Sequence, residues 1–169
     1  MNRTFGFSLI ELIITVAVIS ILATVALPSM QTYSMNDRLR TNVNILLGHL
    51  ALARSEAVKR SQQVAICSSA DQAGCNGGWA DGWMLYVDAN GDNSFDAGEE
   101  ILRAQQSLDG NNSLSTVGIN NQIIYDYRGF AGTDSVGTLQ LCDSRSGDYG
   151  KTIHISPTGR ARLERETTC

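Results

Sequence analysis

Phe7-Ser-Leu-Ile-Glu11-Leu-Ile-Ile-Thr15-Val-Ala-Val-Ile-Ser20-Ile-Leu-Ala-Thr24-Val-Ala-Leu27 is an apolar run interrupted only by Ser8, Glu11, Thr15, Ser20 and Thr24. As a helix it would span about 31 Å, the thickness of a bilayer's hydrocarbon layer. A cleavable secretory signal would have an apolar region of only about 7 to 15 residues and a small-residue cleavage site after it; this run fits neither condition. Arg3 is the only charged residue ahead of it, and positive charge favours the cytoplasmic side, so the remainder of the chain is expected to be exported. Glu11 is the exception within the run. A carboxylate in a lipid-spanning helix costs roughly 2.5 to 3.5 kcal/mol, which calls for a partner or a function.

Beyond Pro28 the helical pattern resumes. Met35, Leu39, Val43, Leu46, Leu47, Leu50, Ala53 and Ala57 recur at three- and four-residue steps, predicting one helix from about Phe7 to Arg60 whose second half has a single apolar stripe. Arg38, Arg40, Arg54, Lys59 and Arg60 fall among these turns and read as a solvated face. From Gln63 the pattern changes to short runs of β-formers between turn residues, predicting strands over 64–67, 83–87, 101–104, 123–127, 136–141 and 152–155. Asp109-Gly-Asn-Asn-Ser113 and Ser144-Arg-Ser-Gly-Asp148 are loops by composition. The expected class is α+β: one long N-terminal helix packed on antiparallel sheet, forming one soluble domain after the apolar segment.

A chain of 169 residues with 43% hydrophobic content can bury one ordinary core. Its formal net charge of -4 excludes binding to nucleic acid through overall basicity. The charge is uneven, however. Asp71, Asp81, Asp88, Asp92, Asp96, Glu99 and Glu100 occur without a single Lys or Arg between Asp71 and Glu100, whereas the last stretch carries Lys151, Arg160, Arg162 and Arg165 against Glu164 and Glu166. An anionic partner should meet the second region. Cys67, Cys75, Cys142 and Cys169 are an even set in a domain expected to be exported, which points to disulfides. Of the three pairings, Cys67 with Cys75 and Cys142 with Cys169 is favoured, being local in one case and tying down the C-terminus in the other. The gaps do not suit a structural zinc site.

Gly6-Phe7-Ser-Leu-Ile-Glu11 resembles the leader of type IV prepilins and of type II secretion pseudopilins. That resemblance implies a pilin-like fold, cleavage by prepilin peptidase between Gly6 and Phe7, N-methylation of Phe7, and a role for Glu11 in assembly. The new amino group of a neighbouring subunit's Phe7 would answer the Glu11 charge. Pro28 stands where pilins commonly have a helix-bending proline. The implied organisation is a leader over 1–6, a transmembrane and filament-core helix over 7–27, and a periplasmic or extracellular domain over 28–169. The chain would start as a single-pass inner-membrane protein and then join other pilins on the cell surface. Ala53-Arg-Ser-Glu-Ala57, Gly78-Trp-Ala-Asp-Gly-Trp83, Val87-Asp-Ala-Asn-Gly91 and Ser156-Pro-Thr-Gly-Arg160 are similar to stretches of the FimT and GspH branch of minor pilins and pseudopilins.

Within Gly159-Arg160-Ala161-Arg162, after what reads as the final strand, an extended backbone would project both arginines to one side about 7 Å apart, near the spacing of successive phosphates. Arginine binds phosphate oxygens bidentately. The pair resembles the GRxR motif of FimT proteins, which implies binding of extracellular double-stranded DNA for uptake in natural transformation; Lys151 and Arg165 would extend the patch. The alternative is a structural minor pilin or GspH-type pseudopilin with no DNA partner. Asp88, Asn90, Asp92, Ser94, Asp96 and Glu99 fall at calcium-loop positions, but Asn93 replaces the turn glycine and strands flank the segment, so a polar hairpin turn is favoured and no cofactor is expected. His49 and His154 are not joined to a nucleophile and an orienting acid, so no enzyme is expected.

Overall fold

The computed structural model describes residues 7–169, so the expected cleavage position Gly6 lies outside the described residues. Helix α1 runs Leu9–Arg60 and continues through Pro28. Eight strands follow: β1 (Gln63–Ser68), β2 (Gly82–Asp88), β3 (Ile101–Gln106), β4 (Ser113–Val117), β5 (Gln122–Tyr125), β6 (Gly137–Cys142), β7 (Gly150–Ile155) and β8 (Ala161–Thr167). By contacts the chain divides between Asp37 and Arg38 into two units.

In the first unit, Ser8 caps the helix by accepting a hydrogen bond from the Glu11 amide at 3.2 Å. The hydroxyls that interrupt the apolar run turn back onto their own backbone. Thr15, Ser20 and Thr24 donate to the carbonyls of Leu12, Val16 and Ile21 at 2.7–2.8 Å, so these three hydroxyls are paired, as a helix in hydrocarbon would require. Leu9, Ile13, Ile19 and Leu22 are all exposed, as suits a helix that is long and apolar enough to cross a membrane. Among the described residues, the Glu11 carboxylate has no partner.

The second unit is a folded domain with its core on one stripe of α1. Leu39, Val43, Leu46, Leu50, Ala53 and Ala57 are buried, and they share one cluster with Val64, Ile66 and Leu85 and with Leu139, Leu141, Ile153 and Ile155. Each such Leu or Ile contributes about 1.5–3 kcal/mol by leaving water. Two antiparallel four-stranded sheets supply the facing residues, in the orders β3-β2-β1-β5 and β4-β6-β7-β8. The first sheet is also covered on its other face. Ala65, Cys67, Met84 and Tyr86 form a second small cluster there, with Phe95 edge-on to Tyr86 at 5.2 Å. Double coverage explains why Trp83-Met-Leu-Tyr-Val87 is continuously apolar. Trp83 Nε1 donates to His49 Nδ1 at 2.9 Å, and burial, aided by the Arg103 charge, lowers the His49 pKa; this histidine is a packing residue.

Disulfides join Cys67 to Cys75 and Cys142 to Cys169. Three details differ from the sequence expectations. β4 and β8 are additional strands, so Arg162 lies within the last strand and not after it. β5 stops at Tyr125 because Asp126 begins a turn. Arg60 is no free solvated charge: it bonds Glu56 at 2.7 Å and Glu100 at 2.6 Å, linking the end of α1 to the segment entering β3.

Candidate nucleic-acid interface

Two hairpin turns of the same build lie against each other beside α1. In Ser156-Pro-Thr-Gly159-Arg160, the Gly159 amide donates to the Ser156 carbonyl at 2.8 Å and the Ser156 amide to the Arg160 carbonyl at 3.1 Å. In Asp126-Tyr-Arg-Gly129-Phe130, Gly129 donates to Asp126 at 2.8 Å and Asp126 to Phe130 at 2.9 Å. Gly159 and Gly129 both have positive φ, +74° and +81°, as three-residue hairpin loops require. The side chains repeat the parallel: Ser156 Oγ accepts from the Arg160 amide, and Asp126 Oδ1 from the Phe130 amide.

Arg54 fastens the two turns. Its Nε donates to the Gly129 carbonyl and a terminal nitrogen to the Thr158 carbonyl, both at 2.9 Å, while the Ala131 amide donates to the Pro157 carbonyl at 3.1 Å. The sequence reading placed Arg54 on the solvated face; it is instead a clip between segments far apart in the chain. A β-carbon on Gly159 would stand 2.0 Å from the Gly129 carbonyl oxygen. Only glycine fits there.

The clipped turns position the arginines. His154 pairs with Arg162 across β7 and β8, and Ile153 with Leu163. Ile153 and Ile155 belong to the core, so His154, Arg162 and Glu164 occupy the opposite, outer face. Arg160 shares the Arg162 parity, and both are exposed. Together with Thr138 and His154 they line a groove of about 480 Å³. A second groove, of about 710 Å³, has Leu47, Ala51 and Val58 of α1 as its floor and Arg128 and Arg160 among its walls. Arg160 therefore borders both.

Among the described residues, neither Arg160 nor Arg162 has an ion-pair partner, whereas Arg60, Arg128 and Arg145 do. The nearby acid Glu164 is engaged by His154 Nε2 at 2.6 Å. Lys151 is not brought onto this face. It pairs with Arg165 and has the parity of Ile153, on the inner side of β7. The side chain of Arg165 lies outside the described residues.

The acidic segment belongs to the other sheet, where it folds on itself. Asp88 is buried and accepts from the Gly91 and Asn93 amides at 2.6 and 2.9 Å. Glu99 accepts from Ala89 and Asp96, Asn90 bridges Asp92 and Asp96, and the Ser94 amide donates to Asp92. Among the described residues, no three His, Cys, Asp or Glu side chains converge as metal ligands would.

Known proteins share this architecture. The family described as Type II transport protein GspH matches residues 42–159, and the Prokaryotic N-terminal methylation motif matches residues 1–27. The pilin-like protein PilA1 of Thermus thermophilus is 30% identical, covering 94% of this chain and 97% of its own. The type IV minor pilin FimU of Pseudomonas aeruginosa has a similar fold, with TM-score 0.61 and 20% identity over 79% of this chain and 93% of its own. So has the minor pseudopilin EPSH of the Vibrio cholerae type II secretion system, with TM-score 0.58 and 11% identity over 79% of this chain and 99% of its own. The GspH match spans most of the folded domain and the methylation motif the apolar segment before it, so the chain belongs to the GspH family and is a type IV minor pilin or pseudopilin.

Proposed function

We propose that this minor pilin binds extracellular double-stranded DNA through Arg160 and Arg162 and serves its uptake in natural transformation, as its GRxR stretch suggests. The observation that carries this reading is the pair of exposed arginines of one parity, unpaired among the described residues, at the start of β8. Phosphate contacts without base-reading side chains give weak, sequence-blind binding, and several copies along a filament would raise it through avidity. Cleavage before Phe7, methylation there and neutralisation of Glu11 by a neighbouring amino terminus complete the proposal. That the Glu11 carboxylate has no partner among the described residues supports that last part.

The second reading is a structural pilin or secretion pseudopilin, favoured by the groove floored with Leu47, Ala51 and Val58 on α1, a surface suited to another subunit. A titration of the full chain in detergent micelles with duplex DNA at several salt concentrations separates the two. DNA binding predicts an affinity that falls steeply with salt. Arg160→Ala with Arg162→Ala should remove most of it and flatten the logarithmic salt slope by about 1.8, two phosphate contacts' worth. Unchanged binding in the double variant rejects the site, and no binding at any salt favours the structural reading.

A further inference from the structure

We propose that Tyr127 and Phe130 form a stacking platform for unpaired bases, so that DNA held at Arg160 is bound more tightly where it is single-stranded than where it is closed duplex; this rests on the DNA-binding reading above. Trp79, Trp83, Tyr86 and Tyr125 are all buried, and Tyr149, 43% exposed, has the Arg145 guanidinium carbon 4.0 Å from its ring centre. Tyr127 and Phe130 remain 57% and 46% exposed on one turn. Arg128 lies between them in sequence. Its guanidinium carbon is 5.4 Å from the Tyr127 ring centre and 5.3 Å from that of Phe130, and the guanidinium is tied to Asp126 Oδ2 at 3.0 and 2.8 Å. The guanidinium thus lies over each ring and braces it, while about half of each side chain stays exposed.

This turn is also the one locked to the arginine turn through Arg54 and through the close approach of Gly159 to Gly129. Arg128 and Arg160 consequently wall the same groove. A ligand fitting both features needs anionic groups for the arginines and flat π faces for the rings. Closed duplex hides its base faces, and an anionic polysaccharide has none, whereas a single strand or an open end presents both together.

The test is fluorescence anisotropy on the full chain in detergent micelles with three probes of equal length: a single strand, an abasic strand with the same phosphates, and a duplex sealed at both ends by non-nucleotide linkers. The single strand should bind about tenfold more tightly than either control, the order expected of a stacked base. Tyr127→Ala with Phe130→Ala should erase that advantage while leaving abasic-strand binding within about twofold, and Tyr127→Phe should keep it. Equal binding of single and abasic strands by the unaltered chain overturns the platform whatever the variants do. Parallel loss of both in the aromatic double variant overturns it as well. Either result leaves the arginine site standing; failure to bind any of the three probes sinks both.

Discussion

At Gly159 the chain has to turn through a positive φ in a space that a neighbouring backbone oxygen already fills. A methyl group there meets both objections, and strain of this kind costs about 1–3 kcal/mol per residue. Gly159→Ala is therefore expected to lower the thermal midpoint by several degrees and, by spreading the two turns, to weaken DNA binding without removing a charge. Parallel melting and anisotropy measurements check both. Gly159 and Arg160 stood out from their letters alone, but as extended backbone after the last strand and not as parts of a turn. Arg54 did not stand out: its hydrogen bonds reach residues 75 and 104 positions away, and helical periodicity records only that such a residue lies off the apolar stripe. The exposure of Tyr127 and Phe130 was equally hidden, since it depends on the strand ending at Tyr125, which the expected strand over 123–127 overran.

Among the elements, α1 was the most legible, because hydrocarbon and a packed core each impose a pattern that few sequences satisfy. β4 and β8 were missed for a physical reason. Both are edge strands that bury only Leu114 in one case and tuck in Ala161 and Leu163 in the other, so their polar faces dominate the letters. Among the described residues, the loop joining β6 to β7 holds the most buried ion pair. Asp143, whose side chain is 1% exposed, receives the Arg145 amide at 2.9 Å and its guanidinium Nε at 3.0 Å. The Arg145 hydrogen bonds hold the Asp143 pKa below its ordinary value of 3.8. A lowered folded pKa contributes stability that is full above the unfolded value and is lost as pH falls through the folded one. Thermal stability should thus stay level down to about pH 4 and drop below it. Asp143→Asn should lower stability at neutral pH by about 2 kcal/mol or more, since the arginine is left uncompensated, and should shrink the acid drop. Melting curves from pH 2 to 7 test both parts.

For the whole molecule, a net charge of -4 and a DNA-binding role are compatible because the fold separates the charges. The acidic segment after β2 is consumed in capping its own turns on one sheet, while Arg160 and Arg162 open the last strand of the other. Composition gave the imbalance along the chain; only the strand parities show that Lys151 faces away from the arginines it was expected to join. Glu11 and the Arg pair serve different ends on this view, one entering the filament and the other acting on its surface, so damage to either should leave the other intact. Filaments isolated from cells that produce either the unaltered chain or Arg160→Ala with Arg162→Ala offer the most direct comparison, with labelled duplex DNA captured per filament as the readout. The double variant should enter filaments in normal amount, its N-terminus starting at a methylated Phe7, yet capture several-fold less DNA. Undiminished capture by filaments that contain it would show that these arginines do not hold DNA.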